Sequence, residues 1–249
     1  IQNRTCFDFL DSVVAEHGLR YHTAGALGKG ERIWMLARLP SHIRVKNSDD
    51  VTEKFLLLSN SHDGSSALRC FFTPIRVVCA NTLTLAHRQH RGEGITIRHR
   101  GNLAAKVREA RDALGLAQVF FDDLEGRIDR IASHSPTPAQ LQNYFKQLFP
   151  DPEDRRANRA ENVRDRLTEL FESGMGQDIP QIRHTSWAAF NAVSEYVDHA
   201  KPTRGRDDAD RESKRLESSL FGTGAALKAR AFDLALAMAS GEPTLVAAA

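Results

Sequence analysis

Two short pairs in this sequence have the residue types for acid–base or metal chemistry: His62-Asp63 in "NSHDGSS" and Asp198-His199 in "EYVDHA". A His beside an Asp supplies a general base with its orienting carboxylate, or two ligands for a divalent metal. Taken together, the pairs offer four nitrogen and oxygen ligands, and a metal held there would activate water against a phosphodiester. Each pair also has a structural reading. Adjacent strand residues point to opposite faces, so His62 and Asp63 serve one site only from a turn. Asp63-Gly64 is itself a hairpin-turn dipeptide, and Asn60, Ser61, Ser65 and Ser66 around it are turn formers. His199 suits the negative end of a helix dipole. The cofactor expectation is a divalent metal on His62, Asp63, Asp198 and His199, or none.

A second polar set lies within apolar stretches: Arg76, Asn81, Thr82, Arg98 and His99. Arg76 sits in "PIRVVC", and a charge in a buried strand must be paired internally or serve a ligand such as phosphate. Trp187, Asn191, Tyr196 and His199 belong to one helical stretch, with Trp187 and Asn191 four apart on a shared face. The aromatic residues there stack on bases or pack in a core. "GTGAALK" lacks the Gly-Lys-Ser/Thr ending of a phosphate loop. Gly-x-Ser-x-Gly, Gly-x-Gly-x-x-Gly and His-Glu-x-x-His are absent from the sequence, which argues against nucleotide-hydrolysing and dinucleotide enzymes.

Net charge is +2, unevenly placed. From Arg69 to Arg111 nine Lys/Arg, including Arg88, Arg91, Arg98 and Arg100, face only Glu93 and Glu109. That segment carries +7 and leaves −5 for the rest. Such a local field is the footprint of a polyanion partner, or else a solvated basic face under acidic neighbours.

The 249 residues suit one large domain or two small ones, and 41% hydrophobic with 27% charged residues is ordinary for a globular protein. Cys6, Cys70 and Cys79 lie in apolar surroundings without a Cys-x-x-Cys pair, which predicts a cytoplasmic protein with reduced, buried thiols. No signal-peptide pattern is read at the start, and the opening at Ile1 without methionine is that of a fragment or trimmed chain. The longest apolar stretch, 225–239, is interrupted by Lys228, Arg230 and Asp233, so no membrane span is expected.

The elements that must position these residues read as follows. Residues 5–18 predict a helix, Leu19 to Pro40 a hairpin turning around Gly28-Lys29-Gly30, and "KFLLLSN" a strand buried on both faces. "ALRCFFTPIRVVCAN" predicts a long strand or two, with Pro74 at an edge or bulge. Asn81 is read as the cap of a short helix, and "GITIRHRG" as another strand. Helices follow over 102–114, ended by Gly115, then 118–131, 138–149, one ending near Ser173, 185–200, and 224–239. Lys201–Arg211 reads as a polar arm. The fold class is α+β: a β-rich region over 1–101 with antiparallel hairpins and an N-terminal helix, then a helical region over 102–249 packed on the sheet as one domain.

"NSHDGSSALRCFFTPIRVVCANTL", "IRHRGN", "TSWAAFNAVSEYVDHA" and "LFGTGAALKARAFDLA" occur in that order. In this the chain resembles the phage/plasmid-like family filed as domain of unknown function 932, over nearly its whole length. The resemblance implies a mobile-element origin, and with it DNA metabolism, recombination or anti-restriction. It marks His62, Asp63, Gly64, Arg76, Asn81, Thr82, His99, Trp187, Asn191, Asp198 and His199 as positions of a shared site or scaffold. The family's usual Thr-Gly-Thr-Ala-Trp reads "RHTSW" here. The order helix, hairpin, strands, helix is also similar to the core of single-strand annealing recombinases, which form rings or filaments on DNA.

Three functions follow as expectations. One is a single-stranded DNA-binding or annealing protein without covalent chemistry, holding phosphates with Arg76, Arg88, Arg91, Arg98 and Arg100 and stacking bases on Trp34 or Trp187. It would be homo-oligomeric, with the arm after His199 reaching a neighbour. The second is a metal-dependent nuclease using the two His/Asp pairs. The third is a protein that engages a host-defence partner.

Overall fold

The computed structural model describes residues 14, 18–27, 30–61, 68–78, 81–82, 94–97, 103–152 and 157–241. Alternating and β-branched residues give four long antiparallel strands in a meander: β1 (Arg20–Leu27), β2 (Arg32–Arg44), β3 (Val51–Ser61) and β4 (Leu68–Arg76). Two short strands, β5 (Asn81–Thr82) and β6 (Gly94–Ile97), both pair with the outer side of β4. β6 covers Leu68 to Phe71, and β5 covers Ile75 and Arg76. Pro74, which has no N–H for a ladder, falls in the gap between them. Asn81 therefore starts a strand partner for Arg76 rather than capping a helix.

Six helices follow among the described residues: α1 (Leu103–Ala132), α2 (Pro138–Leu148), α3 (Ala157–Ser173), α4 (Ser186–Glu195), α5 (Asp208–Phe221) and α6 (Thr223–Ser240). The architecture is α+β. Gly115 does not end a helix. α1 runs through it for 30 residues, because one helical Gly costs only about 1 kcal/mol and Phe121, Leu124, Ile128 and Ile131 bury one continuous face beyond it. Thr137, Pro138 and Gln140 close a complete capping box at the start of α2. The polar arm is shorter than its composition predicts. Asp207 caps α5, and Arg211 and Lys214 pair with Asp208 and Asp210 within its turns.

β3 explains why "KFLLLSN" is apolar at every position. Leu56 and Leu58 join Ala37, Met35 and Phe72 on one face, against Phe121 and Leu124 of α1. Phe55 and Leu57 join Leu36 and Phe71 on the other face, under Leu220 of α5. The sheet is thus covered on both sides, and α5 is the second cover. Every residue of α4 is buried, with α1, α3 and α6 packed around it.

Candidate functional site

Two buried polar nodes hold Arg76, Trp187 and Asp198 among the family-motif positions that fall within the described residues. The first is built on Asp50. A 3-10 turn at Val45–Asn47 closes the β2–β3 connection, with Lys46 and Asn47 at positive φ. Ser48 Oγ donates to Val45 O and accepts from Asp50 N, which fixes Asp50 at the foot of β3. Arg76 Nε donates to Asp50 Oδ1 at 2.7 Å, and Trp187 Nε1 donates to Oδ2 at 2.7 Å. The outer guanidinium nitrogens donate to Met175 O at 3.1 Å and Gly176 O at 3.4 Å. Arg76 and Asp50 are 1% and 0% exposed. One carboxylate therefore joins the sheet, the α3–α4 loop and the central helix.

That loop is shaped for the purpose. Gly176 has φ +72°, and a Cβ there would stand 2.8 Å from Arg76 Nη2. Glu195 of α4 accepts from Met175 N, and Gln177 Nε2 donates to Ala188 O. A charge buried this completely is tolerated only when paired and hydrogen-bonded, and here it is both. Of the two answers open for Arg76, the internal carboxylate is the one its geometry displays.

The second node lies past the end of α4. Residues Tyr196–Ala200 form a π-helical turn, closed by Lys201 N donating to Tyr196 O. The wide turn carries Asp198 toward α5 and α6. Lys228 Nζ donates to Asp198 Oδ1 at 2.8 Å and to Ser219 Oγ at 2.7 Å, and Ser219 Oγ donates to the same carboxylate. Lys228 is 0% exposed. Gly224 lets the start of α6 approach, since a Cβ there would stand 2.9 Å from Val197 and from Ser218 O. "GTGAALK" is thereby accounted for by close helix packing and one buried ion pair.

A Ser beside a Lys suggests a nucleophile and its base. Here Asp198 accepts from both Lys228 and Ser219, which joins the three side chains in one hydrogen-bonded cluster. Asp198, His199 and Ser219 line a cleft of about 460 Å³ together with Arg211, Arg215 and Leu216.

α4 sets Trp187, Asn191 and Ser194 along one stripe, and the π-turn continues it to Asp198. Asn191 Nδ2 donates to Trp187 O, while its Oδ1 and Ser194 Oγ are buried without a hydrogen-bond partner. β5 lies against α4, so the Asn81–Thr82 backbone and the Trp187–Asn191 stripe share one neighbourhood. A family model described as "Domain of unknown function (DUF932)" matches residues 1–220. The chain belongs to that family. No curated protein and no solved structure matches it.

His62, Asp63, Gly64, Arg88, Arg91, Arg98, His99 and Arg100 lie outside the described residues. The family positions Arg76 and Trp187 meet at Asp50, and both side chains are buried. Neither faces solvent in this arrangement, and both Trp187 and Arg76 act as scaffold here. His199 is exposed and Asp198 half-buried. Among the described residues no three His, Cys, Asp or Glu side chains gather as metal ligands. No described helix is long and apolar enough to cross a membrane.

Asp50, Ser219 and Lys228 were not legible as site residues. Asp49 and Asp50 are identical in type, yet their side chains are 99% and 0% exposed. For Lys228 a signal existed: a lone cation in the otherwise apolar start of α6.

Proposed function

We propose that the protein binds single-stranded nucleic acid, DNA first, along the basic segment Arg69–Arg111, without covalent chemistry. The observation that carries this reading is the charge distribution: +7 in those 43 positions against −5 elsewhere. The internal pairing of Arg76 removes one cation from that face, and eight Lys/Arg remain against two Glu. The segment's described elements support it further. β5 and β6 both pair with β4, and β6 contacts α1, so the described elements that flank the basic positions adjoin one another. Arg69 is exposed there.

Phosphate contact by Arg88, Arg91, Arg98 and Arg100 is the expected mode, while Arg76 and Trp187 are engaged with Asp50. A mobile-element origin, an annealing role and assembly into homo-oligomers belong to the same proposal. The nuclease alternative draws less support, because Asp198 is already engaged by Lys228 and Ser219. The test is fluorescence anisotropy with a labelled single-stranded oligonucleotide at about 50 and 200 mM salt, with duplex as competitor. Each neutralised phosphate contributes a slope of about −0.7 in log K against log salt. Binding that weakens steeply with salt and is lost in Arg98→Glu/Arg100→Glu supports the proposal. No binding at low salt, with magnesium or manganese present, overturns it.

A further inference from the structure

The largest cleft described, about 810 Å³, lies far along the chain from the basic segment. It opens between the end of α2, the first half of α3 and the π-helical turn. Its floor is apolar: Phe149, Val163, Tyr196 and Pro202 line it. Phe149 and Tyr196 meet edge to face, with ring centroids 5.9 Å apart. The wall is braced from behind. Arg164 donates to Phe149 O at 2.7 Å and to Asp151 Oδ1 at 2.6 Å, which ties Phe149 and Asp151 to α3.

Two cations stand on the cleft's rim, Arg159 from α3 and Lys201 from the exit of the π-turn. Among the described residues neither side chain makes a hydrogen bond or an ion pair. Arg159 lies close enough to Tyr196 to oppose the upward push that burial gives its hydroxyl. The third basic residue lining the cleft, Arg166, is taken by Glu169 at 2.7 Å. Uncompensated cations over an apolar hollow call for a ligand that is anionic outside and apolar inside.

We propose that this cleft is a docking site for an acidic peptide segment of a partner protein, with one or two apolar side chains seated on Phe149, Val163 and Tyr196 and flanking carboxylates on Arg159 and Lys201. Charge complementarity and shape choose this occupant. A nucleic-acid strand needs a row of cations along an extended track, whereas this is a short open cleft with a pair of them. A volume of this size accommodates ligand-sized groups and is lined as such pockets are, by apolar side chains with few polar ones. The π-turn and its exit contribute Tyr196, Ala200 and Lys201 to the lining, and such turns recur at functional positions.

The test is anisotropy of the full chain with a short fluorescein-labelled peptide of alternating Asp and Gly around a central Leu-Phe. Saturable binding is expected, weakened at least about tenfold by Arg159→Glu/Lys201→Glu and similarly when Leu-Phe is replaced by Ser-Ser. Arg98→Glu/Arg100→Glu should leave peptide binding unchanged, which separates this site from the nucleic-acid face. Should the charge-reversed variant lose its melting transition, Arg159→Ala/Lys201→Ala is measured instead, with the same direction expected. No saturable binding, equal binding of the Ser-Ser peptide, or binding that survives both rim variants overturns the proposal. Displacement of the peptide by an oligonucleotide of equal charge also overturns it and assigns the cleft to nucleic acid.

Discussion

Arg76 is a full positive charge inside a hydrophobic sheet, and Asp50 is what makes that bearable. Removing one partner of such a pair leaves the other buried and uncompensated, which costs about 3–5 kcal/mol. Arg76→Met should therefore lower the chemical-denaturation stability by that amount. Asp50→Leu/Arg76→Met should cost clearly less than the sum of the two single changes, because no stranded charge remains; a double-mutant cycle reads the difference. Trp187→Phe keeps most of the ring but removes the donor to Asp50 Oδ2, for a loss of about 1–3 kcal/mol. If Arg76 instead contacted phosphate directly, Arg76→Met would weaken oligonucleotide binding in the folded protein. The geometry predicts that binding measured well below the melting temperature stays within a factor of about two, a few tenths of a kcal/mol, as for residues away from an interface.

The elements depend on their connections. The α3–α4 loop passes Arg76 at Gly176, where φ is +72° and no space exists for a Cβ. Gly176→Ala should cost about 1–3 kcal/mol, the strain of a left-handed non-Gly residue against a fixed neighbour. The α2–α3 connection is set by charge. Arg164, and then Lys146, hold the Asp151 carboxyl below its ordinary value of 3.8. The backbone amide of Arg206, then Lys214, do the same for Asp210 at the start of α5. A carboxyl with a depressed native value favours the fold when ionised. Its contribution is complete above about pH 3.8 and is lost as pH falls through the lower native value. Melting temperature against pH should fall in that acid window, and Asp151→Asn should flatten the fall by lowering the plateau near neutrality, where the ionised carboxylate contributes.

The whole molecule is a sheet sandwiched between a helical bundle and α5, with opposed charge along the chain. α5 touches the sheet through Leu216, Leu220 and Phe221, and Arg32 pairs with Glu217 beside them. Truncation of Leu220 to Ala should destabilise by about 2–5 kcal/mol, as for a buried Leu in a core. At this scale the two proposed surfaces are separable. On the proposed reading, binding at the basic segment Arg69–Arg111 should answer to salt and to Arg98 and Arg100. The cleft at the π-turn answers to Arg159 and Lys201 and to an apolar anchor in its ligand.

The sequence by itself determined the strand run to β4, the double burial of β3, the capped start of α2, the charge asymmetry and the family. These are local: period-two apolar patterning, cap residues and composition are written in neighbouring positions. It could not separate Asp49 from Asp50, nor show that Arg76 and Trp187 meet on one carboxylate, because those partners are 26 and 137 positions from Asp50. Nor could composition reveal that part of the polar arm folds as α5. Its stability comes from three apolar side chains set on a distant sheet face. Tertiary structure decided those questions, since burial and pairing belong to surfaces that exist only once the chain has closed on itself.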